Sequence, residues 1–172
     1  MKTKSLFILS LLLAFSLVSS AQKTNSETEA AIAFNDYCAS ISDSLYILGV
    51  DWGSKFNSIQ KTKKFEALTP LRENLTTFIA RKQKELRSKK VPADMETYKN
   101  CMVSYLSVEL EMIEGAFIPM ENLNKNSSDE EVDAKTHQLV TLSEKETEAL
   151  NIVRREQEKV AKIYKFAVVD TE

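Results

Sequence analysis

Apolar residues recur along most of the chain at the spacing of an α-helix that packs against other helices. In the first stretch they follow one another at steps of three or four residues, a near-heptad spacing typical of helices in bundles and coiled coils. Strict alternation of apolar and polar positions, which would indicate a half-buried strand, is missing. The pattern predicts a first helix over about 27–67. Its apolar stripe consists of Phe34, Cys38, Ile41, Leu45, Leu48, Trp52, Phe56 and Ile59.

The start and the interior of this first helix carry their own signals. Ser26 with Glu29 matches a capping box, in which the two side chains satisfy backbone donors at a helix start. Gly49 and Gly53 each cost a helix interior about 1 kcal/mol, which the burial of several large side chains would outweigh. We therefore expect one helix, bent near Gly53, and the alternative is a break there into two helices.

The starts of three further helices can be placed by their capping residues. Thr69 precedes Pro70, and proline is tolerated at the first helical position because its missing N–H would be unpaired anyway. Asp94 is the candidate cap of the third helix. Ser128 with Glu131 forms a second capping box and marks the start of the last helix.

Together these signals predict an all-α fold, an elongated antiparallel up-and-down bundle of four helices of unequal length. The predicted helices cover about 27–67, 70–90, 94–123 and 128–166. Short connections make sequential helices antiparallel neighbours. The third helix is expected to continue past Pro119 with a kink, because the residues on both sides of this proline are apolar. The second helix is too short to line the first, so we expect one end of the bundle to leave apolar side chains uncovered for a partner or for self-association.

The N-terminus has the order of a secretory signal peptide. Lys2 and Lys4 give a basic start, residues 6–18 are apolar apart from two serines, and small residues precede a cut ahead of Gln22. The apolar run of 13 residues is shorter than the roughly 20 that a membrane-spanning helix needs. We therefore expect a signal peptide over 1–21, with a retained membrane anchor as the alternative.

Cleavage of the leader would leave a single helical-bundle domain over 22–172, long enough for a substantial core. The protein is expected to be exported to the periplasm, the cell surface or the medium. No cysteine ends the apolar run, so lipid attachment at the new N-terminus is not expected. After cleavage we expect no transmembrane segment and, because of export, no nucleic-acid partner.

Composition and charge refine this picture. The chain contains only three glycines and three prolines, which favours few turns and long elements. Its net charge is −2, but residues 55–90 hold eleven basic and three acidic side chains, a balance of +8, and residues 94–131 hold two basic and nine acidic ones, a balance of −7. We favour neighbouring helices whose charges complement each other; the alternative is a basic face for a polyanion.

The only two cysteines, Cys38 and Cys101, lie on apolar stripes of different predicted helices. In an oxidising compartment such a pair is a candidate disulfide, which would stabilise the fold by roughly 4 kcal/mol in the chain-entropy model. The alternative is two buried thiols that act as small hydrophobes. In a square bundle the first and third helices are diagonal and too far apart, so a bridge would require these two helices to touch.

No motif for metal or cofactor chemistry is found in the sequence. The Glu-x-x-His pairs of di-metal bundles and the Cys-x-x-Cys motif are missing, and the sole histidine, His137, has only Asp133 one turn before it. A closed metal site needs three or four ligands, so we interpret this pair as part of a helix surface. We expect no metal site, no cofactor and no enzymatic activity.

Two other groups of residues, on the predicted third and first helices, are candidates for a chemical role. Glu109, Glu111 and Glu114 lie beside Tyr105 on the third helix, where paired carboxylates could transfer protons. A solvated acidic face is the favoured interpretation. Aromatic residues of the first helix, Trp52 among them, could form a stacking platform for a ligand, but their helical spacing favours a core stripe.

A leader followed by heptad-striped helices without a cofactor motif resembles small exported or surface-associated helical-bundle proteins of Gram-negative bacteria that have no assigned activity. The resemblance covers the character of the whole chain and rests on no specific motif, so it identifies no functional residues. Our first hypothesis is a non-enzymatic protein of the cell envelope with a structural or protein-interaction role. The alternative is a periplasmic carrier that binds a small apolar or metal ligand in the bundle core, supported by the methionines and tyrosines of the third helix.

Overall fold

The computed structural model of the protein describes residues 24–168, and the predicted signal peptide lies outside this range. Within it the chain is helical and contains no strand, so the predicted all-α bundle of four helices of unequal length is confirmed. A π-helical turn, Ile113–Phe117, joins the third helix to a short continuation. The α-helices are α1 Asn25–Ile59, α2 Thr69–Ser88, α3 Glu96–Met112, α4 Ile118–Glu121 and α5 Asp129–Tyr164.

The predicted kink of the third helix takes the form of the π turn between α3 and α4. Pro119 has no N–H, and its ring would conflict with the carbonyl of Gly115 four residues earlier in a regular α-helix. The wider π turn relieves this conflict, and the Ile118 N–H donates to the carbonyl of Ile113 five residues back. Thus α3, the π turn and α4 form one continuous, kinked helix.

The start of α1 differs from the prediction. The cap is Thr24, whose Oγ1 accepts a hydrogen bond from the Glu27 N–H at 3.2 Å, so the assignment of Ser26 as the cap is wrong. The Thr-x-x-Glu spacing that begins at Thr24 is the same signal two residues earlier in the chain. The helix runs unbroken through both of its glycines, as the favoured interpretation expected.

The first helix ends at Ile59, earlier than the predicted position near 67. Lys63 adopts a left-handed conformation with φ of 50°, and its N–H donates to the carbonyl of Ile59 at 2.9 Å. Side chains with a Cβ rarely adopt this conformation, so the chain reverses here at a small energetic cost. A 3₁₀ turn, Phe65–Leu68, then leads directly into α2.

Two of the predicted caps are not used. Thr69 is the first residue of α2, and its hydroxyl donates to Glu121 Oε2 at 3.0 Å instead of capping the helix. Asp94 lies in a 3₁₀ turn before α3, and the N-cap residue of that helix is Met95. In both places a 3₁₀ turn supplies the start of the helix, so no side-chain cap bond forms there. The Ser128 capping box is confirmed in full.

The core lies between α1, α2 and the kinked helix, with α5 packed mainly along α3. The predicted stripe of α1 is buried along its length, except that Leu48 is partly exposed. Phe34 of α1 meets Tyr98 of α3 edge to face, with ring centroids 5.7 Å apart. Gly115 allows α5 to approach closely, because a Cβ there would lie 2.9 Å from Leu142 Cδ1.

Two ion pairs connect the basic segment 55–90 with the acidic segment 94–131. Lys63 Nζ lies 2.9 Å from Asp129 Oδ1, and Arg72 Nε lies 3.0 Å from Glu121 Oε2. These contacts support the interpretation that neighbouring helices complement each other in charge. None of the helices within residues 24–168 combines the length and apolarity that a membrane span requires.

The candidate disulfide is not formed in this structure, since both Cys38 and Cys101 are free thiols. Cys38 is buried beside Tyr98, with which it shares a hydrogen bond. Cys101 lies one turn further along α3 and lines a groove against Ala149 of α5. The first and third helices do meet, through large side chains such as Phe34 and Tyr98.

Candidate functional site

Hydrogen bonds connect α1 to α5 near one end and the turn after α1 to the start of α5 near the other, and the two helices leave an opening between these places. Near one end the Asn35 Oδ1 accepts a hydrogen bond from Gln157 Nε2 at 2.8 Å. Near the other end Lys63 Nζ donates to Asp129 Oδ1 at 2.9 Å and to the Ser127 carbonyl at 2.7 Å. Between these contacts lies a cleft with a volume of about 1040 Å³, whose floor is formed by α3 and the π turn.

The lining of this α1–α5 cleft is mainly apolar. The first buried residue of α5 is Val153, so the apolar residues of α5 that precede it remain partly exposed. Tyr46 is 74 % exposed and Val140 is 50 % exposed, on opposite walls of the cleft. The apolar and aromatic residues that line it are Leu45, Tyr46, Val50, Trp52, Leu75, Tyr105, Met112, Phe117, Leu139, Val140 and Leu150.

Trp52 lies at the inner side of the cleft in a stack of aromatic rings. Its ring is parallel to that of Phe117 at 3.9 Å between centroids and to that of Phe56 at 5.4 Å. The side chain is only 3 % exposed, and no hydrogen-bond partner for its Nε1 is found among the described residues. A buried donor without a partner costs about 1–3 kcal/mol, which makes this N–H a group that a ligand acceptor would satisfy.

Two carboxyl groups meet on the α3 and α5 sides of the cleft. Glu109 forms hydrogen bonds with Tyr105 and with Glu146. Burial, and then the neighbouring charge of Glu146, raise the pKa of Glu109 to about 7, while the hydrogen bond from Tyr105 opposes the shift. Burial and the Glu109 carboxylate in turn raise the pKa of Tyr105, so its hydroxyl stays protonated and serves as a donor.

The charge of the cleft has a single sign. Asp43 of α1, Glu109 of α3 and Glu146 of α5 line it, and no lysine, arginine or histidine is found among the described residues of the lining. The carboxyl pair is therefore held without a basic side chain to neutralise it. Burial and the adjacent charge of Glu146 both favour a protonated Glu109 carboxyl group.

The structure separates the three glutamates that the sequence grouped together. Glu111 is exposed and pairs with Lys145, and Glu114 is exposed as well, so these two form the expected solvated face. For Glu109 that interpretation is wrong, because its side chain lies in the cleft. Glu146 was not predicted as a site residue, although it holds a position on the apolar stripe of α5, four residues from both Leu142 and Leu150.

The aromatic residues of the first helix divide in the same way. Trp52 and Phe56 are buried, as the core interpretation expected, whereas Tyr46 is exposed on the wall of the cleft. His137 and Asp133 are both exposed on α5, as expected for a helix surface. Within the described part of the chain, no group of three or more histidine, cysteine or acidic side chains could hold a metal ion.

The chain has no match among protein-family models, curated proteins or solved structures. The geometry of the α1–α5 cleft therefore carries the functional argument by itself.

Proposed function

We propose that this protein is a non-enzymatic carrier, exported from the cytoplasm, whose α1–α5 cleft binds a small and largely apolar ligand. The observation that carries the proposal is the cleft itself, about 1040 Å³ in volume, apolar in its lining and closed by polar contacts at two places. Of the two functions that the sequence suggested, the carrier role has the stronger support.

The dimensions of the cleft match this role. Pockets that take drug-sized molecules have volumes of about 300–1000 Å³, are mainly apolar and contain a few polar groups that orient the ligand. Here the polar groups are the Trp52 N–H and the pair Glu109 and Glu146. A ligand that covers Tyr46 and Val140 would remove apolar surface from water, at about 25 cal/mol for each Å².

A specific observation also supports a second candidate function, the docking of an amphipathic helix from a partner protein. Ile47 is 60 % exposed and Val50 is 46 % exposed, next to Tyr46 on the outer edge of α1. Exposed apolar side chains beside a groove between helices are typical of a site that receives a third helix. This candidate retains the protein-interaction role that the sequence first suggested.

Fluorescence can test the carrier role directly, because Trp52 is the only tryptophan in the chain. We expect the neutral dye N-phenyl-1-naphthylamine to bind the mature protein and to quench Trp52 emission by energy transfer. The ligand volume can be blocked at Gly49 and Gly53, which line the cleft and where an added Cβ meets no atom within 4 Å. Gly49→Leu and Gly53→Leu should each weaken dye binding at least tenfold.

The matched control adds the same side chain elsewhere on α1. Ala39 is exposed and lies outside the cleft, so Ala39→Leu should leave dye binding unchanged. Dye affinity that is equal in the wild type and in both glycine variants would reject the carrier role in this cleft. If a synthetic amphipathic helix displaced the dye at lower concentration than any small amphiphile, the second candidate would be favoured.

A further inference from the structure

No basic side chain of the described lining accompanies the carboxyl pair of the cleft, Glu109 and Glu146. Glu109 and Glu146 face each other from α3 and α5, and the third acidic residue of the lining, Asp43, adds to the same charge. Many basic side chains lie elsewhere on the surface, but none of those described belongs to the lining. Two adjacent carboxyl groups without a cation favour a proton on one of them, and a positive group of the ligand could take the place of that proton.

We infer that the ligand of this cleft is an apolar amine, whose ammonium group is bound between Glu109 and Glu146 while its apolar body lies along Trp52 and the exposed wall. This inference rests on the carrier role proposed above and specifies the chemical class of the ligand. Charge-assisted hydrogen bonds from an ammonium group to carboxylates are among the stronger polar contacts in proteins.

The aromatic side of the cleft supplies a second, independent indication of a ligand. Trp52 is 97 % buried, since its exposed fraction is 3 %, and its Nε1 has no partner within the described chain. A hydroxyl or carbonyl oxygen on the ligand would accept from this donor. The electron-rich face of Tyr46, which is 74 % exposed, also favours a cation over an anion.

Other ligand classes fit the lining less well. A fatty-acid carboxylate would place a further negative charge beside Glu109, Glu146 and Asp43, with no basic side chain of the described lining to bind it. A divalent metal ion needs at least four ligands and commonly six or more oxygens. The described residues offer no set of three candidate ligands at any point.

The protonation of Glu109 gives the expected pH dependence. Tyr105 on α3 and Glu146 on α5 lie next to Glu109; the other titratable groups of the lining are Asp43 and Tyr46 on α1, and α2 contributes only the apolar Leu75. Below pH 7 the ammonium group must displace a proton from the pair, because the pKa of Glu109 is raised to about 7. Amine affinity should therefore rise with pH up to about 7, by at most tenfold for each pH unit, and then level off.

A series of three probes with the same chain tests the inference. Decylamine, 1-decanol and decanoate are used below their micelle-forming concentrations to displace N-phenyl-1-naphthylamine from the mature protein at pH 8. We expect decylamine to bind at least tenfold more tightly than 1-decanol, and decanoate to bind most weakly. The double variant Glu109→Gln with Glu146→Gln should abolish this preference, so that decylamine binds no more tightly than 1-decanol.

The control removes two charges from the same helical segments without changing the cleft. Glu114 and Glu144 are exposed and lie outside the lining, so Glu114→Gln with Glu144→Gln should keep the amine preference. Equal affinity for decylamine and 1-decanol, or an unchanged preference in the cleft variant, would overturn the inference while the carrier role stands. Absence of dye binding in the wild type would instead overturn the carrier role and the inference with it.

Discussion

Glu109 of α3 and Glu146 of α5 lie next to each other in the α1–α5 cleft, and no basic side chain of the described lining neutralises them. This relationship links the fold to the proposed function. The close packing of α5 on α3 brings the two carboxyl groups together, and the separation of α5 from α1 opens them to a ligand. Stability and binding should therefore both respond to the protonation of this pair.

The first expectation concerns the pH dependence of stability. The pKa of Glu109 is raised from 4.5 to about 7, so the folded state holds this proton more tightly than the unfolded state does. This stabilisation is complete below the pKa that Glu109 has in the unfolded chain. It is lost as pH rises through the folded pKa of about 7, by no more than about 3 kcal/mol. Glu109→Gln lacks this loss, so its stability relative to the wild type should increase between pH 4.5 and pH 8.

Urea unfolding at pH 5 and at pH 8 measures that difference. Carboxylates whose pKa is lowered, such as Asp129 and Glu85, act in the opposite direction, but they are common to both proteins and cancel in the comparison. Glu114→Gln removes an exposed charge from the same continuous helix and should show an equal difference from the wild type at both pH values. If Glu109→Gln also differed from the wild type by the same amount at both pH values, the raised pKa of Glu109 would be contradicted.

The second expectation concerns the two glycines of α1. An added Cβ at Gly49 or Gly53 meets no atom within 4 Å, and both residues are helical with negative φ. Gly→Ala at either position should therefore raise the free energy of unfolding by about 0.5–1 kcal/mol, through the lower entropy of the unfolded chain. Urea unfolding provides the measurement, and a loss of stability in either variant would show that α1 is not a regular helix there.

Much of the fold could be predicted from the sequence because apolar periodicity reports directly on which helix face is buried. The stripe of α1 and the Ser128 capping box follow from that rule and from local hydrogen bonding. The capping assignments at Thr69 and Asp94 failed because neither helix begins at the side-chain cap that the local sequence predicts. A 3₁₀ turn precedes each of these helices, and the Thr69 hydroxyl is engaged by Glu121, which lies far away in sequence.

The candidate site was much less predictable. Glu109 and Glu146 are separated along the chain by the π turn, the connecting loop and the first half of α5, so no local motif joins them. Only the position of Glu146 on an apolar stripe could have drawn attention to it. The opening between α1 and α5 depends on how the two helices diverge, which periodicity does not report.

The third expectation concerns the cysteines. Burial raises the pKa of Cys38 to about 12 and also raises the pKa of Cys101, but Cys101 is partly exposed and Cys38 is only 1 % exposed. An alkylating reagent should therefore modify Cys101 in the native protein well before Cys38, because the thiolate is the reactive form and access decides the rate. Peptide mapping after timed iodoacetamide treatment distinguishes the two sites.

Counting the free thiols of the unmodified protein tests the disulfide hypothesis. Protein isolated from an oxidising compartment should show two free thiols after denaturation without reductant, as the structure has them. A Cys38→Ala variant serves as a control and should retain one reactive thiol with unchanged kinetics. If no thiol reacts until reductant is added, Cys38 and Cys101 are bridged in the isolated protein.

The last expectation concerns the ion pair that connects α2 to α4. Arg72 Nε lies 3.0 Å from Glu121 Oε2, and the Glu121 side chain, only 8 % exposed, also accepts a hydrogen bond from Thr69. Removal of one partner leaves an almost fully buried charge without its counter-ion, which costs more than the pair itself contributes. Arg72→Met should therefore lower the free energy of unfolding by about 3 kcal/mol at pH 7.

A second substitution can separate the cost of the unpaired charge from the loss of packing. Because replacement of a buried pair by apolar side chains of similar volume is often nearly neutral, Arg72→Met with Glu121→Leu should recover most of the stability that Arg72→Met loses. Arg81 is an exposed arginine of the same helix, and Arg81→Met should change stability by less than about 0.5 kcal/mol. If the double variant were as unstable as the single one, packing of the Arg72 side chain, and not the buried Glu121 charge, would hold α2 against α4.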